Sequence, residues 1–202
     1  MRLVLASASA RRRELLTAAG LAFVVDPADI DERRHPGEAP EEYARRVAVE
    51  KAQTGRQRHP ADVVLAADTI VLVGDRVLAK PATPDEAAAM LAQLSGRMHE
   101  VLTGVAVEWP DGARAHVERT QVWFAPLDAG QIRWYVDSGE PMDKAGAYAI
   151  QGLASRFVTR IEGSYSNVVG LPVAVVWQFL QETGLELQPR YGPAVEGGRA
   201  VG

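Results

Sequence analysis

One carboxylate interrupts an apolar segment that is otherwise typical of a buried strand. The segment runs from Val63 to Val73, and Asp68 stands at its centre. A buried, unpaired carboxylate is costly, so a protein retains one only with a partner, a metal ion or a catalytic task. Asp68 is therefore the first candidate for chemistry. The alternative is that Asp68 ends one strand and Thr69 begins a turn, because aspartate is common at such ends.

A second cluster of functional groups lies between the first predicted strand and the first predicted helix. Residues 7–13 read Ser-Ala-Ser-Ala-Arg-Arg-Arg. Free backbone N–H groups and the helix dipole favour an anion at a helix N-terminus, and arginine adds positive charge. Successive helical residues point about 100° apart, so at most two of the three arginines can face one ligand. We predict a phosphate site at this turn and leave open which two arginines face it, although a solvated basic helix start would have the same sequence.

Three lysines could extend this positive charge. Lys51, Lys80 and Lys144 each stand beside apolar or turn residues. A single lysine in such a setting commonly buries its aliphatic stem and keeps its ammonium in water. If the three converge with Arg11, they provide the point charges that a polyphosphate requires. The sequence leaves both interpretations open.

Acidic residues could hold a divalent cation. Glu32 and Asp68 offer the hard oxygen ligands suited to a Mg or Mn ion that bridges phosphates. Glu32 belongs to an acidic patch with Asp29 and Asp31, which could equally be a solvated loop. No pair of histidines has zinc spacing, no G-x-S-x-G sequence occurs, and the absence of cysteine excludes thiol catalysis. His99 is expected to be a structural residue bonded to the backbone.

The predicted elements alternate between strands and helices, which indicates an α/β fold. A strand at residues 3–6 precedes a helix at 11–19, and a second helix over 40–53 places Lys51 on the face of Tyr43 and Val47. The later predicted elements are a helix opened by a capping box at residues 83–86, an antiparallel strand pair between Val101 and Phe124, a helix from Asp128 through Val136, and a helix from Pro172 with Val173, Val176, Trp177 and Leu180 on its core face.

Length and composition limit the classes of protein. A chain of 202 residues with 47% hydrophobic residues can bury roughly 70% of its unfolded surface, which fits one two-lobed domain over residues 1–187 and a flexible tail at 188–202. The net charge of −4 argues against broad nucleic-acid binding. The first residues lack the charged region and long apolar region that are typical of a signal peptide, and no apolar run reaches the roughly 18 residues of a membrane helix. We expect a cytoplasmic protein without a membrane partner, and a homodimer is left open.

Short motifs occur in a specific order along residues 3–184. They are Leu5-Ala6-Ser7-x-Ser9-x-Arg11-Arg12-x-Glu14-Leu15-Leu16, Glu50-Lys51-Ala52, Ala66-Ala67-Asp68-Thr69, Lys80-Pro81, Leu94-Ser95-Gly96-x-x-His99, Asp143-Lys144-Ala145-Gly146-Ala147-Tyr148-x-Ile150-Gln151-Gly152 and Ser164-Tyr165-x-Asn167-Val168-Val169-Gly170-Leu171-Pro172. Together they resemble the Maf family, named for inhibition of septum formation. One departure is Ala10, where the family usually has proline, and it removes no functional group.

The resemblance implies a mixed sheet in two lobes around a central cleft, as in inosine triphosphate pyrophosphatases of the Maf/Ham1 fold. It also implies hydrolysis of a nucleoside triphosphate to the monophosphate and pyrophosphate. Asp68, Glu32 and Lys51 would be catalytic. Glu32 would help hold the metal ion, and Asp68 would either hold the metal ion or accept the proton of the attacking water. The residues that would bind substrate are Ser7, Arg11, Arg12, Thr69, Lys80, Lys144 and Gln151.

Substrate choice also follows from the resemblance. The subgroup that acts on dTTP and UTP is similar to this chain in carrying Arg11, Thr69 and Gln151, which mark specificity. The Gln151 amide both donates and accepts, which matches the N3–H and carbonyl groups of uracil and thymine. Two alternatives stay open, namely a nucleotide-binding regulator of cell division without turnover and a broad nucleotide phosphatase that releases orthophosphate.

Overall fold

The computed structural model describes residues 1–186, and within them a single mixed sheet organises the chain. The predicted tail at residues 188–202 lies outside the described residues. Seven strands form the sheet in the order β2-β1-β3-β5-β6-β7, and β4 also pairs with β3. The strands are β1 (Leu3–Leu5), β2 (Val24–Val25), β3 (Val63–Val73), β4 (Arg76–Leu78), β5 (Met98–Trp109), β6 (Gly112–Phe124) and β7 (Val158–Glu162). The predicted mixed α/β class is confirmed.

Six α-helices pack on this sheet within the same residues. They are α1 (Ala10–Ala18), α2 (Pro40–Arg58), α3 (Pro84–Leu94), α4 (Ala129–Asp137), α5 (Tyr165–Val169) and α6 (Val173–Gln181). Short 3-10 turns cover Glu140–Asp143, Ala145–Ala147 and Leu153–Phe157. Thr83 caps α3 by accepting from Glu86 N–H at 3.2 Å, and Asp128 caps α4 by accepting from Gln131 N–H at 2.8 Å. The capping box predicted for α3 is only half formed, because the Glu86 carboxylate accepts from Ala82 N–H at 2.8 Å and not from the backbone of Thr83.

Helix α2 continues well beyond the end predicted at residue 53. Gly55 lies inside it, where glycine usually weakens a helix. A Cβ atom at Gly55 would lie 2.8 Å from Val64 Cγ1, so the missing side chain allows the last turns of α2 to pack against β3. The glycine therefore serves close packing rather than helix termination.

Strand β3 runs without interruption through Asp68, so the interpretation that Asp68 ends a strand is wrong. Strand β5 pairs with residues 64–72 of β3 along one edge. On the opposite edge, β1 pairs with residues 63–65 and β4 with residues 71–73. Residues 66–70 therefore lie in a gap between β1 and β4, with Asp68 at its middle.

Helix α2 covers one face of the sheet, and it lies very close to β5. Ala44, Ala48 and Ala52 of α2 are fully buried against this face. A Cβ atom at Gly104 would lie only 2.0 Å from the carbonyl oxygen of Ala44. Gly104 pairs directly with Asp68, so this glycine lets α2 approach the carboxylate.

The opposite face of the sheet carries two apolar clusters. One contains Leu65 of β3 with α1 and α6, and the other contains Val71 of β3 with α3 and α4. Side chains two apart on a strand share a face, so Thr69 stands between these clusters, beside its β5 partner Thr103. The sequence predicted Trp177 on the core face of α6, and this prediction is wrong. Trp177 joins neither cluster, and 44% of it is exposed.

Candidate active site

A cavity of about 650 Å³ opens at the gap between β1 and β4, beside residues 66–70 of β3. All ten residues that the sequence analysis assigned to catalysis or substrate binding line it. They are Ser7, Arg11, Arg12, Glu32, Lys51, Asp68, Thr69, Lys80, Lys144 and Gln151. The structure thus brings these side chains together from distant parts of the chain, while the role of each stays a prediction.

A lysine bridges two carboxylates at the floor of this cavity. Lys51 Nζ lies 2.9 Å from Asp68 Oδ1 and 2.8 Å from Glu32 Oε1. The Lys51 and Asp68 side chains are only 8% and 12% exposed, whereas Glu32 is half exposed. Lys51 engages one oxygen of each carboxylate and neutralises one of the two negative charges. The cluster therefore keeps one net negative charge and one further oxygen on each acid.

The loop that carries Glu32 is fastened to α2. The Tyr43 hydroxyl donates to the carbonyl oxygen of Glu32 at 2.8 Å. Partial burial raises the pKa of Tyr43, and the charges of Asp68 and Glu32 raise it further, so the hydroxyl stays protonated as a donor. Asp31 turns away and pairs with Arg33 at 2.6 Å. Within residues 1–186, Glu32 is thus the member of the predicted acidic patch that lines the cavity.

Arg12 is buried, and each of its three side-chain nitrogens donates a hydrogen bond to the protein. Its Nε donates to Gly170 O at 2.8 Å, its Nη1 to Ser7 Oγ at 3.0 Å and its Nη2 to Thr69 Oγ1 at 3.1 Å. Burial lowers its pKa, and the negative charge of Asp68 acts in the opposite direction. Arg12 therefore fixes the hydroxyl groups of Ser7 and Thr69, while its charge still faces the cavity.

Arg11 reaches across the cavity mouth to a residue that the sequence did not single out. Arg11 Nη1 lies 2.8 Å from Asp143 Oδ2, and Lys144 Nζ also pairs with this carboxylate. Burial alone would raise the pKa of Asp143, but hydrogen bonds from Lys144 and Arg11 outweigh it and lower the pKa to about 2. Asp143 thus pairs with Arg11 and Lys144, the two cations that were predicted to bind phosphate. Arg13 is exposed, as the helix geometry requires.

Lys80 and Gln151 line the cavity from the side of α3 and the 3-10 turns. Lys80 makes no ion pair with any other part of residues 1–186, so its ammonium is free to bind an anion. Gln151 is exposed on a turn in which Gly152 N–H donates to Ala149 O at 3.0 Å. Both side chains are therefore available to a ligand.

His99 lies behind this wall and is fully buried. Its Nε2 is 2.8 Å from the hydroxyl of Tyr148, which lines the cavity. The expectation of a structural histidine agrees with this burial, but the predicted bond to the backbone is wrong because the partner is a side chain. Burial lowers the pKa of His99 to about 4, so the ring is neutral at pH 7.

The residues present fit a divalent cation that is shared with a ligand. Within residues 1–186, no group of three histidine or acidic side chains forms a complete metal site. Mg²⁺ is usually held by one or two carboxylates together with substrate phosphates. Glu32 and Asp68 match that requirement, since each keeps an oxygen outside its pair with Lys51.

Cations around a pair of carboxylates in a sheet gap define a site for a phosphorylated ligand. The sequence model of the family described as Maf-like protein matches residues 2–183. The chain is also 53% identical over 189 residues to a dTTP/UTP pyrophosphatase of Myxococcus xanthus, covering 92% of this chain and 94% of that protein. This chain therefore belongs to the Maf-like family.

Further relatives agree with this assignment. A dTTP/UTP pyrophosphatase of Symbiobacterium thermophilum is 50% identical over 182 residues, covering 90% of this chain and 94% of the relative. Among solved structures, the Ham1 protein of Staphylococcus aureus matches with a TM-score of 0.54 and 15% identity, covering 90% of this chain and 99% of that one. This likeness shows that the fold is shared with Ham1, as the resemblance implied.

The sequence did not identify three residues that shape the cavity. Asp143 binds Arg11 and Lys144, and Tyr43 binds the Glu32 loop. The carbonyl of Gly170 accepts from Arg12 at 2.8 Å. Asp143 directly precedes Lys144 in a recognised motif, so only its proximity in sequence could have indicated it. Nothing in the sequence pattern indicates a contact made by a backbone carbonyl.

Proposed function

We propose that this protein hydrolyses dTTP and UTP to the nucleoside monophosphate and pyrophosphate. The observation that carries the proposal is the cluster of Lys51, Asp68 and Glu32 at the floor of a cavity that is otherwise ringed by cations. The relatives at about half identity bear the name dTTP/UTP pyrophosphatase, which supports the same substrate pair.

The cations of the cavity support a triphosphate-binding place formed by Lys51, Lys80, Arg11 and Lys144. Lys80 and Lys51 bind phosphate oxygens as point charges, and Arg11 offers the planar fork that suits phosphate. Backbone N–H groups at the start of α1 add to this cradle beside Ser7. To take Arg11 and Lys144, the phosphates must replace Asp143 as their partner.

Asp68 is the proposed base for the attacking water. One oxygen is held by Lys51 at 2.9 Å, which orients the carboxylate and leaves the other oxygen for a proton. The water oxygen forms a bond to the α-phosphorus, its proton passes to Asp68, and the bond from the α-phosphorus to the bridging oxygen breaks. The electron pair of that bond leaves with pyrophosphate, whose charge Lys80 and Arg11 stabilise.

A divalent cation, Mg²⁺ or Mn²⁺, is the proposed cofactor. Glu32 would hold it, with Asp68 as a second ligand if its other oxygen binds the metal ion instead of accepting the proton, and when bound the metal ion would neutralise phosphate charge during cleavage. Lys51 lies between the same two carboxylates, so it keeps them close despite their like charge.

Gln151 is the proposed reader of the base, together with Thr69 and Arg11. Uracil and thymine present a donor between two acceptors, and an amide can satisfy both kinds of group. Cytosine presents the reverse at two of these positions, so it would leave buried polar groups unpaired. The helices within residues 1–186 lack the length and apolar character needed to cross a membrane. The cytoplasmic location and the homodimer stay predictions.

Product analysis tests the proposal. UTP and dTTP are incubated with magnesium or manganese, and pyrophosphate and orthophosphate are measured separately. We expect pyrophosphate in equal amount to the monophosphate, and a loss of activity when a chelator is in excess. Orthophosphate as the main product would indicate a phosphatase, and binding without turnover would indicate a regulator.

A further inference from the structure

The turn that carries Gln151 is held from outside by the side chain of Tyr135 in α4. Residues 149–152 form this turn, and its first amide, Ala149 N–H, donates to Tyr135 Oη at 3.1 Å. Tyr135 is fully buried. Burial raises its pKa, and its hydrogen bond to Glu140 raises it further, so the phenol keeps its proton. One side of the turn is thus fixed to a rigid core residue.

Glu140 holds the other side of the same turn. Its Oε2 accepts from Leu153 N–H at 3.0 Å, and its Oε1 accepts from Ala154 N–H at 3.4 Å. A Cβ atom at Gly152 would lie 2.2 Å from Glu140 Oε2, so the carboxylate sits where only glycine leaves room. The Glu140 side chain therefore contacts the chain immediately after Gln151.

The two holding residues are themselves bonded. The Tyr135 hydroxyl donates to Glu140 Oε1 at 2.7 Å, while its oxygen accepts from Ala149. Glu140 receives three donors and gives none, which an ionised carboxylate can do and an amide cannot. The carbonyl of Glu140 also accepts from Lys144 Nζ at 2.6 Å. One residue thus connects the turn of Gln151 with a cation of the cavity.

We propose that Tyr135 and Glu140 are positioning residues that set pyrimidine specificity through Gln151. Neither side chain lines the cavity, so neither contacts the substrate. Together they fix both ends of a turn whose exposed apex carries the amide that reads the base. The inference rests on the proposed function, because it requires Gln151 to contact the pyrimidine.

Glu140→Gln is the first test, because it keeps the shape and removes one acceptor. We expect kcat/KM for UTP to fall about tenfold, which corresponds to one lost charged hydrogen bond, with most of the change in KM. CTP should lose less, so the ratio of UTP to CTP should shrink. Glu162→Gln is the matched control, since Glu162 is exposed on β7 and pairs only with Arg160 within residues 1–186.

A double-mutant cycle separates positioning from a general structural role. In a Gln151→Ala background, Glu140→Gln should cause little further loss, because the group that it positions is already absent. An equal fold loss in both backgrounds would overturn the proposal. Tyr135→Phe removes the other holding group and provides an independent variant with the same expected non-additivity.

Hydrogen exchange tests the same geometry without any substrate. Amides in residues 149–154 should exchange about tenfold faster in Glu140→Gln, while the strands of the sheet stay protected. Unchanged exchange in these amides would overturn the inference alone. A different pair of results would overturn the proposed function and, with it, the specificity role. In that case the amides exchange faster in Glu140→Gln, but the wild-type protein does not hydrolyse UTP.

Discussion

Replacing Lys51 with methionine tests how the charged floor of the cavity is held together. The substitution keeps most of the apolar stem and removes the ammonium. The two carboxylates that lose this partner differ in burial, because the Asp68 side chain is 12% exposed and the Glu32 side chain is 50% exposed. Removing one partner of a buried ion pair costs about 3 to 5 kcal/mol, whereas a half-exposed pair contributes less than about 1 kcal/mol.

We therefore expect Lys51→Met to lower the free energy of unfolding by about 3 kcal/mol. For a domain of this size, that loss lowers Tm by roughly 6 to 12 °C. Thermal unfolding followed by circular dichroism at pH 7, with chelator and without nucleotide, measures the shift. Lys80→Met is the matched control, since Lys80 is exposed and should shift Tm by less than about 2 °C.

The double variant Lys51→Met/Asp68→Asn sharpens this test. It removes both buried charges together, so it should be more stable than the sum of the two single losses predicts. Equal Tm values for Lys51→Met and Lys80→Met would refute the reasoning, because they would mean that Asp68 does not depend on the ammonium.

Three further substitutions test the catalytic, specificity and packing roles. Asp68→Asn should lower turnover by at least about 100-fold with an unchanged circular dichroism spectrum, because it removes the base, and near-normal turnover would return Asp68 to a structural role. Gln151→Glu should lower kcat/KM for UTP at least about tenfold and for CTP less, because the carboxylate loses the donor and repels phosphate, and an equal loss for both would contradict base reading. Gly104→Ala should lower the free energy of unfolding by about 1 to 3 kcal/mol, because its Cβ would lie 2.0 Å from Ala44 O, and an unchanged Tm would contradict this packing.

Much of the fold could be predicted because local signals agree with it. Thr83 and Asp128 cap the helices that they were expected to open. Alternation of apolar residues after Val101 marked the long hairpin of β5 and β6, which the register confirms. Helix α2 was predicted too short, and the packing of Gly55 against Val64 in its last turns is visible only in three dimensions.

The composition of the site was predictable, whereas its internal pairing was not. Ordered motifs of the Maf-like family identified residues that the fold gathers in one cavity, and the family comparison confirms that the chain belongs to this family. Lys51 was expected to bind phosphate, but its bridge between Glu32 and Asp68 depends on how closely α2 approaches β3. Gly104 of β5, which pairs with Asp68, allows this approach because a Cβ atom there would lie 2.0 Å from Ala44 O of α2.

Arg12 illustrates the same difference between residue type and environment. Its position beside Arg11 predicted a phosphate contact, yet each of its three nitrogens, Nε, Nη1 and Nη2, donates a hydrogen bond to the protein. One partner, the carbonyl of Gly170, lies 158 residues away in sequence. A sequence pattern cannot reveal such a contact, because a backbone carbonyl occurs at every residue.

The position of bond cleavage tests the central claim most directly. UTP is hydrolysed with magnesium in water enriched in oxygen-18, and the products are examined by phosphorus-31 NMR. Attack of water on the α-phosphorus predicts that the label enters UMP, with unlabelled pyrophosphate as the first other product. Label in pyrophosphate, or orthophosphate released before pyrophosphate, would contradict the account.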